Sequence, residues 1–142
     1  GQYSPTTPTG AYGTTAPYGN IDADFDIPRL AEAAGATYTA RGTAYHVRET
    51  TKLIERAIAH HGFSVVDCVS VCPTYFGRKN GKGGAVEMLM NQKENSVDVK
   101  KVEQLAPEEV EGKLIYGELS CIEKPEYTDL YEQIRVKARG GK

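Results

Sequence analysis

The chain has 142 residues, 39% of them hydrophobic, which is enough for about one domain with a real core. Its net charge of −2 gives no basic footprint for nucleic acid and no polybasic patch for a membrane surface. Three cysteines without a regular spacing indicate a reducing compartment rather than a disulfide framework. With no apolar run near 18 residues and no apolar leader, we expect a cytoplasmic protein.

Residues 1–20 are polar and irregular, rich in Pro, Gly, Thr and Tyr, and they begin with Gly1 as if the chain were entered midway. Such a segment is either a disordered linker or a functional loop held by a partner surface. Its three tyrosines favour the loop, because disordered linkers are usually poor in aromatic residues. We expect it to be mobile in isolation and ordered in an assembly.

The composition then becomes that of a folded domain. Residues 26–35 predict a short helix, with Asp26 as N-cap, Pro28 in the first turn and Gly35 at the C-terminal end. Residues 36–41 alternate as a strand. The domain therefore starts with a helix followed closely by a strand.

A second helix opens at Thr43 or Tyr45 and ends at Gly62. Its last turn carries His60 and His61, which invite a metal hypothesis. Neighbours on a helix point about 100° apart, and no other ligand lies near them in sequence, so we interpret both as an exposed helix end. The apolar face at helical spacing consists of Val47, Thr51, Ile54 and Ile58.

Residues 63–72 predict a strand that ends in a thiol. Its β-branched apolar run suits a strand covered on both faces in a parallel sheet, so these residues should lie in the core. Pro73 cannot donate to a sheet ladder, which places Cys72 at the carboxyl end of the strand. Ligands bind at such ends in open α/β sheets. The run consists of Val65, Val66, Val69 and Val71.

Cys68 and Cys72 form a C-x3-C pair before a proline, a pattern seen at the end of ferredoxin-type cluster motifs. Residues four apart on an extended strand are roughly 13 Å apart, too far to bind one cubane cluster together. Cys68 is therefore predicted to be a buried core thiol. For Cys72 the residues alone favour packing, because free cysteine is among the most buried residue types. Cys121 is also predicted to lie in the core.

Residues 77–84 are glycine-rich and basic, but they do not form a P-loop. That motif needs four residues between its glycines and a Ser or Thr after the lysine, whereas here three residues intervene and Gly83 follows Lys82. A backbone-amide site for an anion is possible, and a mobile charged loop is favoured.

The remaining elements are predicted from periodicity. Residues 85–92 are helical, and residues 93–113 read as an exposed, charged connection that holds a short helix near residues 107–110. Residues 114–122 alternate as a strand. Residues 125–138 form a closing amphipathic helix with an apolar face made of Tyr127, Leu130, Tyr131 and Ile134.

A strand, a helix and a strand in the middle of the chain predict a right-handed crossover and a three-layer α/β fold with a mostly parallel sheet. Residue pattern alone goes no further. Five stretches of sequence then carry a resemblance. They are residues 1–8 (GQYSPTTP), 17–20 (PYGN), 33–36 (AAGA), 61–64 (HGFS) and 72–78 (CPTYFGR).

These stretches closely resemble the β subunit of 2-oxoacid:ferredoxin oxidoreductases, most nearly the 2-oxoglutarate type. The resemblance runs to about residue 91 and is looser after residue 93. It implies the C-terminal half of a thiamine diphosphate-binding fold: a cofactor-side loop at 1–20, an α/β core at 21–92, and a charged connection, strand and closing helix at 93–142. It implies thiamine diphosphate, Mg²⁺ and a [4Fe-4S] cluster as cofactors.

The reaction implied by the resemblance is decarboxylation of a 2-oxoacid, with acyl transfer to coenzyme A and electron transfer to ferredoxin, or the reverse. The implied partners are the N-terminal half of the β subunit and the α subunit. The family's Gly-Asp-Gly-Asp motif for diphosphate and Mg²⁺, and three of its four cluster cysteines, match no residue of this sequence.

Residue by residue, the resemblance matches Cys72 to the fourth cluster ligand, which overturns the packing interpretation. No catalytic acid or base is identified. Two alternatives stay open: an inactive structural fragment or split-subunit partner, and an unrelated α/β module for a phosphorylated ligand. The segment matched to the cofactor side consists of Gly1, Gln2, Ser4, Pro5, Thr6 and Thr7.

Overall fold

The computed structural model describes residues 2–140, in which four strands form one mixed sheet. The strands are β1 (Tyr38–Thr43), β2 (Ser64–Val69), β3 (Ser96–Asp98) and β4 (Leu114–Cys121). Strand β1 pairs parallel with β2 and antiparallel with β4, and β3 pairs parallel with β4. The sheet is therefore mostly parallel, as predicted, with its antiparallel pair in the middle. The strand order across the sheet is β2-β1-β4-β3.

Each predicted helix is present, with ends within a few residues of those predicted. The charged stretch after residue 92 is more structured than predicted, because it contains β3 and a 3₁₀ helix at Val99–Gln104. A three-residue strand is too short to show a period, so the sequence pattern missed it. The helices are α1 (Ile27–Ala33), α2 (Val47–Ala59), α3 (Ala85–Glu94), α4 (Pro107–Val110) and α5 (Tyr127–Ala138).

Two neighbouring residues of β1 show that the fold has three layers. The Tyr38 hydroxyl donates to the carbonyl of Leu53 in α2 (3.2 Å), and the Thr39 hydroxyl donates to the carboxylate of Glu32 in α1 (2.5 Å). Successive side chains of a strand point to opposite faces of the sheet. Helices α1 and α2 therefore cover opposite faces, which confirms the predicted three-layer α/β fold.

The core is centred on β1. Tyr38 and Ala40 are fully buried, and Leu53 packs on them from α2. Helix α2 lies so close to the sheet that a Cβ at Gly42 would be 2.4 Å from Oγ1 of Thr50. The predicted alternation of this strand is absent, because helices lie on both of its faces.

Strand β2 lies at the edge of the sheet, and its predicted place in the core was wrong for residues 2–140. Its valines are half-buried and Cys68 is exposed. The carbonyls of Phe63 and Val69 accept hydrogen bonds from amides next to or within β1, so the odd-numbered residues of β2 face β1. The backbone groups of the even-numbered residues between them therefore face outward. No described strand pairs with that outer edge. A run of β-branched residues predicts a strand, but the neighbours of a strand decide its burial.

Cys121 is also exposed rather than in the core, because it lies at the end of β4, opposite the first residue of β1.

Helices α2 and α5 are amphipathic as predicted, yet their predicted apolar faces point to solvent. Ile58 is 80% exposed, and Leu53 is the side chain of α2 that is buried. Within residues 2–140, no helix has the length and apolarity to cross a membrane. The exposed apolar residues of α5 include Tyr127, Leu130, Tyr131 and Ile134.

Candidate functional site

The carboxyl end of β2 opens into a wide groove of about 1420 Å³. Cys72 lines this groove together with three hydroxyl side chains from the irregular N-terminal segment. The structure thus brings together two parts of the predicted site that are far apart in sequence. Gly1 lies outside the described residues, and Gln2 and Pro5 do not line the groove. The three hydroxyl residues are Ser4, Thr6 and Thr7.

Cys72 follows the end of β2 and caps a π-helical turn at Pro73–Gly77, a rare backbone form that is frequent at functional sites. The Cys72 carbonyl accepts a hydrogen bond from the Gly77 amide (2.8 Å). The backbone amides of Phe76 and then Tyr75 hydrogen-bond to the exposed thiol and lower its pKa. These amides favour the thiolate, which is the form that binds metal ions and attacks electrophiles.

The hydroxyls of the N-terminal segment form a local cluster. The Ser4 amide donates to Oγ1 of Thr7 (2.9 Å), and Oγ of Ser4 lies 3.0 Å from Oγ1 of Thr6. Buried Asn20 holds this cluster in place, because its side-chain amide donates to the carbonyl of Thr7 (2.9 Å). Hydroxyl groups held in this way are suitable donors to phosphate oxygens.

The basic loop, residues 77–84, is anchored to the N-terminal segment through Asn80. The side-chain oxygen of Asn80 accepts from the Tyr12 amide (2.8 Å), and its NH₂ group donates to the Tyr12 carbonyl (3.0 Å). The same NH₂ group donates to the carbonyl of Phe76 (2.9 Å). The sequence analysis favoured a mobile loop and did not predict these hydrogen bonds.

An ion-pair network that the sequence analysis missed borders the groove. Arg41 of β1 is only 12% exposed; its Nε lies 2.9 Å from Oδ2 of Asp67 and its Nη2 lies 2.8 Å from Oδ1 of Asp26. Asp26 also caps α1 by accepting from the Arg29 amide (3.3 Å). Arg41 therefore joins the start of α1 to the edge strand β2. The one available signal was an arginine at the end of a predicted strand.

The two adjacent histidines differ. His60 is half-buried and its Nε2 lies 2.8 Å from Oγ1 of Thr37, whereas His61 is exposed as predicted. His61 lies with Glu126 and Asp129, their ligand atoms within 4.8 Å of one another. Glu126 accepts from the Thr128 amide as the N-cap of α5. His61 precedes the first residue of β2, so this cluster lies at the amino end of the strand, whereas Cys72 follows its carboxyl end.

The described residues fit part of two of the three implied cofactors, the iron–sulfur cluster and thiamine diphosphate. Cys72, whose thiol pKa is lowered by backbone amides, suits one ligand of an iron–sulfur cluster, and the hydroxyl cluster suits a phosphate group. Cys68 lines the groove too, but Cys121 does not. Apart from the His61 cluster, no group of three potential metal ligands lies close together in residues 2–140. A cluster or a Mg²⁺ ion would therefore need further ligands from beyond residues 2–140.

Comparison with known proteins gives consistent matches. Residues 1–68 match the family described as thiamine pyrophosphate enzyme, C-terminal TPP binding domain. The chain is 48% identical over 139 residues to 2-oxoglutarate synthase subunit KorB of Methanothermobacter marburgensis, covering 97% of this chain and 49% of the relative. It is 44% identical over 139 residues to the subunit of the same name in Methanocaldococcus jannaschii, covering 98% and 52%.

A solved structure is similar over the whole chain. It is the 2-oxoglutarate:ferredoxin oxidoreductase from Magnetococcus marinus with 2-oxoglutarate, coenzyme A and succinyl-CoA bound. The TM-score is 0.76 at 25% sequence identity, covering 100% of this chain and 48% of the other. The chain spans about half the length of the curated relatives that it matches.

Proposed function

We propose, from the premise that this chain is a homologue of the β subunits of 2-oxoacid:ferredoxin oxidoreductases, that it forms the C-terminal part of their thiamine diphosphate-binding domain. The proposed enzyme oxidatively decarboxylates a 2-oxoacid, most simply 2-oxoglutarate, with coenzyme A and ferredoxin, or runs the reverse reaction. One observation carries the proposal: Cys72 and the hydroxyl cluster line a single groove. The alternative of an unrelated phospholigand module does not agree with 48% identity over 97% of the chain.

In this proposal the segment of Gly1, Gln2, Ser4, Pro5, Thr6 and Thr7 lies beside the diphosphate, and Cys72 is one ligand of the [4Fe-4S] cluster. When bound, thiamine diphosphate stabilises the negative charge that decarboxylation produces, and the cluster accepts electrons. Mg²⁺ and the other cluster thiolates are held by residues outside this chain. We therefore expect the 142-residue chain alone to bind neither cofactor, and micromolar calorimetric binding of thiamine diphosphate by it would contradict that.

The residues of this chain then have positioning roles. The amides of Phe76 and Tyr75, which lower the pKa of the Cys72 thiol, would also stabilise negative charge on a metal-bound sulfur and so raise the reduction potential. Arg41 fixes the start of α1 against β2 beside the groove. Asn80 holds the N-terminal segment against the turn that follows Cys72.

The partners we propose are the rest of the β subunit, an α subunit and ferredoxin, in the cytoplasm. The exposed, unpaired thiols of Cys68, Cys72 and Cys121 agree with a reducing compartment. A second candidate function, an inactive structural partner, is favoured by the incomplete ligand sets within residues 2–140. The activity of the complete assembly with a Cys72 variant separates the two functions. It falls if Cys72 is a cluster ligand, and it is unchanged if the chain is only a structural partner.

The test is Cys72→Ser against Cys68→Ser in the complete enzyme. An alcohol is a harder and poorer ligand for iron than a thiolate, so Cys72→Ser should weaken the electron paramagnetic resonance signal of the reduced cluster and lower electron transfer, with substrate binding retained. Cys68 is exposed, so its serine variant is a matched control with both properties near wild type. A full signal in Cys72→Ser and a lost signal in well-folded Cys68→Ser would reverse the assignment.

A further inference from the structure

The basic loop concentrates positive charge in a chain whose net charge is −2. It carries Arg78, Lys79 and Lys82, and all three side chains are exposed. None of them forms an ion pair with another described residue. The carboxylate of Glu87 accepts from the amide of Gly84 (3.0 Å). The loop therefore presents three cations that the described part of the chain does not neutralise.

Backbone hydrogen bonds hold this charge close to Cys72. The Gly77 amide donates to the carbonyl of Cys72, and the Lys82 amide donates to the carbonyl of Gly77, each at 2.8 Å. Asn80 lies between these cations in sequence. Its side-chain oxygen accepts from the Tyr12 amide, and its side-chain NH₂ group donates to the Tyr12 carbonyl. The position of the loop relative to Cys72 is thus fixed from two directions.

The three cations do not share one environment. Lys82 lines the groove, whereas Arg78 and Lys79 are not among its lining residues. A ligand inside the groove would contact Lys82 but not the other two cations. Exposed charges on the outside of a site act mainly on large charged partners, by raising the rate of encounter and orienting the approach.

We propose that Arg78 and Lys79, with Lys82 at the rim of the groove, form the docking surface for an acidic one-electron carrier protein. The inference rests on the proposed function, because it needs a cluster at Cys72. In the step served, one electron passes from the cluster site to the redox centre of the carrier, which is the oxidant; no bond forms or breaks. An acidic carrier fits because its charge complements the loop and because electron transfer requires close approach to Cys72.

The experiment compares two double charge reversals in the complete enzyme. Arg78→Glu/Lys79→Glu changes the proposed surface, and Lys100→Glu/Lys101→Glu makes the same change in net charge at an exposed pair on the 3₁₀ helix. Each is assayed with an acidic ferredoxin and with the neutral small acceptor menadione, at low and high salt. Melting temperatures check folding, and Arg78→Gln/Lys79→Gln provides a milder change.

We expect Arg78→Glu/Lys79→Glu to raise the KM for ferredoxin about tenfold or more at low salt and to flatten its salt dependence. The glutamine variant should move the KM in the same direction by less, and the Lys100/Lys101 reversal should change it less than about twofold. Menadione reduction should stay at the wild-type rate in all variants, because a small neutral acceptor needs no docking surface.

Three results would overturn the inference: an unchanged ferredoxin KM in Arg78→Glu/Lys79→Glu, equal increases in both double reversals, or an increased KM for coenzyme A instead of ferredoxin. Failure of the proposed function is recognised separately. In that case the wild-type assembly would reduce neither ferredoxin nor menadione with a 2-oxoacid, and the docking surface would be refuted together with its premise.

Discussion

Asn80 and Tyr12 are joined by two hydrogen bonds, one in each direction, across 68 positions of sequence. The side chain of Asn80 replaces the backbone partner that Tyr12 would have in a sheet. Through this contact the irregular N-terminal segment is attached to the turn that presents Cys72. The two parts of the candidate site are therefore positioned by one residue that touches neither the hydroxyl cluster nor the thiol.

Asn80→Ala should reduce the free energy of unfolding of the 142-residue chain by about 1.5–2 kcal/mol, because three hydrogen bonds are lost and each contributes about 0.5 kcal/mol or slightly more at an exposed or partly exposed position. Amides near Tyr12 should exchange faster with deuterium. Urea unfolding and hydrogen exchange measure the two effects. The control is Asn91→Ala, an exposed position on α3, which should be near neutral. Unchanged exchange near Tyr12 in Asn80→Ala would contradict the anchoring role.

Arg41→Ala should be among the most destabilising single changes, by about 2–4 kcal/mol, because it leaves the partly buried Asp67 without its cation and leaves Asp26 with only the exposed Arg29, 3.7 Å away. Arg41→Lys should recover only part of this, since an ammonium group cannot reach both carboxylates with the geometry of a guanidinium. Arg135→Ala removes an exposed ion pair on α5 and should cost less than about 1 kcal/mol. Equal losses in the Arg41 and Arg135 variants would contradict this ranking.

The Cys72 thiol should be alkylated by iodoacetamide at a lower pH in the folded chain than in a short peptide of residues 70–78. The amides of Phe76 and Tyr75 lower its pKa in the fold, and the thiolate is the reactive form. The pH profile of the rate at Cys72, followed by mass spectrometry, measures the difference. The peptide lacks the π-helical turn and is the matched control. Coinciding profiles would show that the amides do not act on the sulfur.

The stability of the chain should fall as the pH rises above about 10, partly because of Tyr38. Burial, and next the charge of Glu118, raises the pKa of this hydroxyl in the fold. The unfolded chain therefore loses the proton first, and the advantage of the folded state declines above the unfolded pKa. Tyr38→Phe should be about 1 kcal/mol less stable near neutral pH, where it lacks the bond to Leu53, but less sensitive to alkali.

Urea unfolding at neutral pH and at about pH 10.5 measures both effects. Tyr18→Phe is the control, since Tyr18 is almost fully exposed and its ring contributes no core packing. An alkaline loss of stability that is the same in Tyr38→Phe and in the wild type would remove Tyr38 from the explanation.

Features with local causes could be predicted from the sequence. Helix α1 is bounded by Asp26, Pro28 and Gly35, each of which acts within one turn, and the structure shows it almost as predicted. Burial was predicted poorly, because it depends on neighbours far away in sequence. The valines of β2 mark a strand correctly, but only the order of the sheet shows that this strand is at an edge and that Cys68 is exposed.

The same limit applies to the candidate site. Cys72 follows a strand before a proline, a pattern that places it at a strand end without any tertiary information. The roles of Arg41 and Asn80 depend on partners 26 and 68 positions away. Such pairs leave no periodic signal in one sequence, so periodicity and spacing could not find them.

Because the outer edge of β2 is exposed, we expect the self-association of this chain to depend on its concentration. Backbone groups of Val66 and Cys68 face outward from a short β-branched strand, no strand within residues 2–140 pairs with them, and edges of this kind are templates for other strands. Dilute solutions should hold monomers, whereas concentrated ones should accumulate self-paired species through that edge. Storage, crystallisation and expression level would each select a different population, and a short peptide that matches a neighbouring strand would act as a solubilising agent rather than an inhibitor.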